Sequence, residues 1–481
     1  MKKIKYILLV AFAISLSSCG EDYLDEKPGT GIEVPAGQNP IKDEATMKNL
    51  VTGMYNQFKS ADAFGSTILN VGNLVSDDVF VSVSNSGYYR TTDMMTWTPS
   101  GSDFTQYNKL YDAIGLSNFV LNAKIEETAN VKNYKAQAYT ARALALFYLV
   151  NFYSANPTSG LNQNLGIPVY TGEFDQFGKY PRKTVNEVYD QIISDLNAAT
   201  ASTFAGANKG YFSTTAAQLI LAKVYLTRGQ SGDYQKAIEH ADKALAAGGA
   251  TNLIKKDKLV NYFYPTLKTD NDNQGETVWE LNMSEKSNLG VNVSMGVLYD
   301  PSSSRRSQYV RASLYDKYDA TDIRKSLFTK STVTADSPTG YAIKKYKWTV
   351  SDQGVNKPNV ANIRIFRLTD ALFVKWEAMA KSGQGAAVLT EVNAFAAERG
   401  ATTTYTGDAL TAVLNEKRKE FVGEGQRYFD LKRNNLDLVK GTNCSGANCT
   451  VSATNKLFVL PIPTSSTNIN TEMVQYPGWE N

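Results

Sequence analysis

The chain has 481 residues, enough for a large core and, at the usual size of folding units, roughly three of them, although helical repeats extend one unit without an internal boundary. Fifty basic and 47 acidic residues leave a net charge of +3, which excludes the one-signed field that marks binders of nucleic acid or of anionic membrane surfaces. A single histidine, His240, excludes a Ser-His-Asp triad and a multi-histidine metal site, so no catalytic residue, metal or cofactor is expected.

At the N-terminus Lys2, Lys3 and Lys5 precede the apolar run from Ile7 to Ile14, followed by Leu16-Ser17-Ser18-Cys19. A basic region, a short apolar region and small residues before a cleavage point describe an export signal over residues 1–18, too short to span a bilayer. The last four residues resemble a bacterial lipobox, in which the cysteine is diacylated and becomes the first mature residue. Acyl chains contribute about 0.8 kcal/mol per buried methylene, so two or more anchor a protein stably. Residues 19–40, acidic and then rich in Gly and Pro, read as the lipidated tether. Glu21 and Asp22 resemble the acidic signal that sends some lipoproteins to the exterior face of the outer membrane.

Helical periodicity starts near Ala45 and runs through Met47, Leu50, Val51, Met54, Tyr55 and Phe58. It fails between residues 60 and 106, where Gly72, Asp77, Asp78, Tyr88, Tyr89, Arg90, Trp97 and Pro99 fall. A long irregular stretch with this aromatic content is a first ligand-loop candidate. Helices are predicted over 107–126 and 131–153, and Thr184 with Glu187 forms a capping-box signature ahead of Val188, Ile192 and Leu196.

Residues 214–249 predict two amphipathic helices joined by a short turn. Small residues Ala222, Ala237 and Ala244 mark the crossing, and Tyr225 and Tyr234 fill the groove. This hairpin resembles a tetratricopeptide repeat, with a lengthened turn at Gln230-Ser231-Gly232 and Gly249 in place of the closing proline. One repeat cannot bury its faces alone, so neighbours are expected.

Residues 275–284 read as a short strand, and Gly290 to Ser313, a Ser- and Arg-rich loop with Tyr299, Arg306 and Tyr309, is a second ligand-loop candidate. Asp270, Asp272 and Gly275 begin like a calcium loop, but Gln274 is a poor ligand and Leu281 stands where the bidentate Glu belongs. Helices are expected to resume at Ile363 as a hairpin over 363–383 and 385–401. Residues 409–433 predict one charged helix in which Glu416 and Glu420, with Lys417, Arg418 and Lys419, form mostly solvated pairs. Cys444 and Cys449, spaced C-x4-C in an exported chain, predict a local disulfide. Leu457 to Trp479 reads as extended.

The ordered series EDYLD after the lipobox, ARALALFYLVNFY before GIPV, PRKTVNEVYDQIISDL, the 214–249 hairpin, YDKYDATDIR, NEKRKEFVGEGQRYFDLKR and LPIP with QYPG resembles the SusD/RagB family of outer-membrane nutrient-binding lipoproteins. It departs from the family at Thr471 and Tyr476 in the tail. The resemblance implies a mainly α fold, a tetratricopeptide-type scaffold with an irregular, loop-rich ligand-binding half and a few short strands. It implies one domain over 41–481, with repeats at about 41–59, 107–250 and 363–435 and irregular parts at about 60–106 and 251–362.

It also implies a surface lid that captures an oligosaccharide and delivers it to a TonB-dependent transporter of the SusC type, or, in RagB-type members, handles peptides. Tyr outnumbers Phe by 28 to 20, a bias that suits surfaces taking polar, flat-faced ligands, although any one Tyr more often packs between helices. By position and chemistry the ligand residues are expected among Tyr88, Tyr89, Arg90 and Trp97 of the first loop and Tyr299, Arg306 and Tyr309 of the second. Two rivals are a repeat scaffold that binds another protein and a glycosidase built on Asp77 and Asp78, whose side chains, adjacent on an extended chain, would point apart.

Overall fold

The computed structural model describes residues 38–101, 104–172, 178–265, 275–347 and 357–480. Cys19, the tether through residue 37, Asp270, Asp272 and Gln274 lie outside the described residues.

Helix α1 (Glu44–Lys59) starts where the Asp43 carboxylate accepts from Thr46 N at 2.7 Å, and it buries the six residues of the predicted stripe. Helix α2 (Thr67–Leu74) was not legible as a helix because all eight of its residues are buried, so no polar face gives it a period. It leads into β1 (Val79–Val81) and the short α3 (Arg90–Met94), which interrupt the stretch expected to be irregular. Helices α4 (Gln106–Asn122), α5 (Ala129–Tyr153) and α6 (Val185–Thr200) follow, the last with both hydrogen bonds of the Thr184–Glu187 capping box formed.

The predicted hairpin is α7 (Thr214–Arg228) and α8 (Asp233–Gly248), with Ala222, Ala237 and Ala244 fully buried at the crossing. The Arg228 guanidinium donates to both Asp233 oxygens, at 2.8 and 2.9 Å, and fastens the lengthened turn. After α9 (Lys256–Phe263) come β2 (Thr277–Leu281), α10 (Met295–Tyr299), β3 (Gln308–Val310), α11 (Ala312–Tyr315), β4 (Phe328–Lys330) and β5 (Tyr341–Ile343). The segment at Ile363 opens as a strand, β6 (Ile363–Arg367), antiparallel to β2, before α12 (Leu368–Lys381) and α13 (Gly385–Glu398) form the expected helical pair. Ile363, Ile365 and Phe366, buried together with Arg364 and Arg367, took the place of the first helical turns.

The stretch 409–433 is two helices, α14 (Ala409–Phe421) and α15 (Arg427–Arg433), broken by Gly423 and Gly425 at positive φ. The break lets α2 cross the elbow without side chains between them. A Cβ at Gly72 would stand 2.0 Å from Gly425 O, and Asn73 joins both sides, donating to Gly423 O and accepting from Gly425 N. Strands β7 (Leu438–Val439) and β8 (Thr450–Val451) flank the Cys444–Cys449 disulfide. The tail is extended apart from α16 (Thr464–Ile469) and a 3-10 turn over Lys456–Phe458.

Two architectures share one core. Helices α1, α4, α5, α6, α7, α8 and α12 pack each on the next as a tetratricopeptide-type stack. The other half carries an antiparallel sheet in the order β1-β3-β5-β4 and the loops around it.

The charges of α14 are not solvated, as the sequence suggested, because the helix lies between the two halves. Glu416 and Glu420 are buried. Glu416 meets Arg324 at 2.7 Å, and Glu420 meets Arg367, Arg324 and Arg399 at 3.2, 3.3 and 3.3 Å. On its other side Lys417 holds Asp430 at 2.6 Å, and Arg418 holds Asp78 at 2.5 Å. Charges drawn into the interior stay ionised only when paired this closely.

Candidate functional site

The two loops singled out in the sequence are brought together by β1 and β3. Val79, Phe80 and Val81 oppose Val310, Tyr309 and Gln308, and the ladder continues as Ser82 N donates to Ser307 O at 2.9 Å. A second tie lies at the start of α2, where Ser66 Oγ donates to Val293 O at 2.5 Å and shares a hydrogen bond with the Tyr89 hydroxyl at 2.7 Å. Burial raises the Tyr89 phenol, and its hydrogen bond to Ser66 opposes the shift.

Beneath this face sits Asp93. Its carboxylate accepts from Val81 N at 3.0 Å and pairs with Lys440 at 3.1 Å, and Arg311 lies at 3.8 Å. Burial pushes the Lys440 ammonium and the Arg311 guanidinium down, and the Asp93 charge opposes both shifts. The disulfide loop then covers α3, as Asn448 Nδ2 donates to the carbonyls of Met94 and Met95 at 3.2 and 3.0 Å. Asp336 closes the other side by accepting from Ser82 Oγ and Val83 N.

Of the expected ligand residues, Tyr88 is 41% exposed, Arg90 is exposed with Nη2 on Val83 O at 3.4 Å, and Arg306 is half-buried with Nη1 on Ser303 O at 2.7 Å. Tyr89 is half-buried in the left-handed region at φ 58°. The other three face inward, and this corrects the expectation that they present rings to a ligand. Trp97, 3% exposed, takes Phe104 edge-on at 5.3 Å. Tyr299 is fully buried, its hydroxyl bonded to Asn73 and Asn70 at 3.1 and 3.3 Å. Tyr309, 1% exposed, packs across the ladder from Phe80. The irregular half has few long helices to fill its interior, so its aromatic side chains become its core. Sequence reasoning missed Arg305, exposed with Nη1 on Asn292 Oδ1 at 2.6 Å, and the exposed Val83 and Val291. The Arg305-Arg306 doublet was the available signal for the first.

Asp77 and Asp78 converge rather than point apart, because the chain bends here. Both approach Arg418, at 3.1 and 2.5 Å, and Asp77 also accepts from Arg427 at 2.7 Å. Burial raises the Asp78 carboxyl. At Asp77 burial acts the same way but is outweighed by Arg427 and Arg418, so that carboxyl is lowered. The pair works as a clamp between the end of α2 and the α14–α15 elbow. Another concavity, a narrow cleft, lies among α5, α7, α12, α14 and α15 beside Tyr148 and Phe429. Its Lys223 is paired with Asp370 and its Lys417 with Asp430. Among the described residues no group of three or more His, Cys, Asp and Glu is placed to hold a metal ion, and no helix is long and apolar enough to cross a membrane.

Residues 22–226 match a SusD-like family described as starch-binding and associating with the outer membrane, and residues 226–479, more than half of the chain, match the SusD family. A SusD-like protein of Formosa agariphila is 22% identical over 385 residues, which cover 70% of this chain and 73% of that protein. Among solved structures, a SusD superfamily protein of Bacteroides vulgatus superposes with a TM-score of 0.82 at 24% identity, covering 92% of this chain and 100% of that one. A SusD-like carbohydrate binding protein of the same organism gives 0.77 at 20% identity, with the same coverage.

Proposed function

The chain belongs to the SusD family, and from that membership we propose that it is a cell-surface lipoprotein that captures oligosaccharides and delivers them to a partner TonB-dependent outer-membrane transporter of the SusC type. The observation that carries the reading is the loop face, where Tyr88 stands open to solvent and Arg90 is exposed two residues on. A sugar ring lays its C–H face on an aromatic ring and gives its hydroxyls to flanking polar groups. Tyr88, Tyr89, Arg90 and Arg306 are the residues assigned this work, with Trp97, Tyr299 and Tyr309 as the core beneath them. The family description and the carbohydrate-binding relative of the same fold support the cargo class.

In this reading residues 1–18 direct export, Cys19 carries the lipid, and residues 41–481 act as one unit whose repeat stack faces the transporter while the loops face outward. The role in this reading is capture without turnover: Asp77 and Asp78, the pair on which a glycosidase would be built, are locked to arginines. Isothermal titration of the soluble form starting at Gly20 against plant, host and microbial oligosaccharides tests it. Saturable heat with one sugar class and no product is expected, and Tyr88→Ala should weaken it by about 1 kcal/mol. Heat from peptides with silence from every sugar would replace the glycan cargo with a peptide one. Co-purification of the lipidated protein with an outer-membrane barrel tests the partnership.

A further inference from the structure

Segments 82–91 and 284–307, which form the rim of the loop face, carry Arg90, Lys286, Arg305 and Arg306 against only Glu285 and Asp300. The structure removes both acids from the surface balance. Glu285 is bridged by Lys357 at 2.9 Å. Asp300 is buried, accepting from Ser302 N at 2.7 Å while its carbonyl takes Ser303 N, so it props the turn that displays the arginine doublet. Most other arginines hold carboxylates, as Arg142, Arg228, Arg367 and Arg433 do at 2.6–2.9 Å, while Arg182 and Arg364 are buried or half-buried on backbone carbonyls. Among the described residues, Arg90, Arg305 and Arg306 meet only carbonyl or amide oxygens.

The segments that carry the three are hydrogen-bonded side by side. The Arg90 guanidinium rests on Val83 O, Val83 follows Ser82, and Ser82 N bonds to Ser307 O next to Arg306. In these two segments cations outnumber acids by four to two, against 50 to 47 over the whole chain.

Resting on the glycan-binding reading, we infer that the cargo is anionic, an oligosaccharide bearing carboxylate or sulfate groups held by Arg90, Arg305 and Arg306 beside the Tyr88 ring. A guanidinium offers a planar fork of donors that matches two oxygens of either anion, and three forks on adjoining segments suit a chain with repeated charges. Uronates and sulfate esters share this chemistry.

The soluble protein and its R90A/R305A/R306A variant, checked for an unchanged melting temperature, are titrated with oligogalacturonate (carboxylate alone), carrageenan oligosaccharides (sulfate alone), neutral malto- and xylo-oligosaccharides, and polyglutamate. One anionic class should bind, lose at least ~tenfold in the variant, and weaken several-fold between about 0.05 and about 0.5 M salt. R90K/R305K/R306K should recover part of the loss. Binding of a neutral glycan that survives in the alanine variant, or silence from both anionic classes, would overturn the anionic assignment while leaving neutral glycan capture open. Binding of polyglutamate with silence from every sugar would overturn the glycan reading as well.

Discussion

His240, the one histidine of the chain, lies nearly parallel to Tyr225 with ring centroids 5.5 Å apart, and its Nδ1 is 2.7 Å from Gln218 Oε1. Burial, helped by Lys243, pushes its pKa from 6.5 down to about 4. The unfolded chain therefore takes up the proton first, so the stability His240 contributes is complete above its ordinary value and declines as the pH falls from 6.5 through about 4. A proton NMR titration should find the single imidazole titrating near 4, and His240→Gln should flatten the stability curve in that window. A midpoint near 6.5 would show an open ring. At this scale the surface position expected of Tyr88 and Arg90 is the one the structure gives them. The sequence was not legible at Trp97, Tyr299 and Tyr309, because an aromatic residue in an irregular stretch looks the same whether it faces solvent or fills the interior.

Elements follow a similar rule. Amphipathic helices such as α1, α6 and α8 were legible from their stripes, whereas α2 was hidden by being buried on every side and the elbow after α14 by the good helical pattern around it. Two predictions belong here. Gly72→Ala drives a methyl into Gly425 O, and chemical denaturation should show a loss of about 3 kcal/mol, the upper range for overpacking. Asn448→Ala removes the side-chain bonds that hold α3 under the disulfide loop, so hydrogen exchange should quicken over residues 90–96 while protection in the repeat helices stays the same. Uniform quickening throughout would show that the loop stabilises the whole fold rather than the face.

Across the whole molecule, the two halves are joined by ions rather than by apolar surface alone. Opposing burial, the cations Arg399, Arg367 and Arg324 hold the Glu420 carboxyl far below the carboxylate range. Lys417 and Arg433 bring Asp430 down to about 2. Both shifts are downward, so the stability they supply is present above the ordinary carboxylate range and is lost as the pH falls toward about 2, where acid should unfold the protein steeply. Glu420→Gln leaves three buried guanidiniums short of a counterion and should cost about 3–5 kcal/mol by calorimetry or denaturant melts. A loss below about 1 kcal/mol would mean that water reaches the cluster.

This joint also fixes an order of assembly. Glu416 and Glu420 stand late in the chain, yet the guanidiniums they neutralise are at 324, 367 and 399. A polypeptide emerging from its N-terminus can complete the early repeats from neighbouring helices alone, but the loop-bearing half must wait, with Arg324, Arg367 and Arg399 each holding only an earlier carboxylate, until α14 arrives. A nascent chain stalled before residue 409 would keep a folded repeat stack and an open, protease-sensitive remainder, so α14 acts as the keystone by which an intact copy differs from an unfinished one.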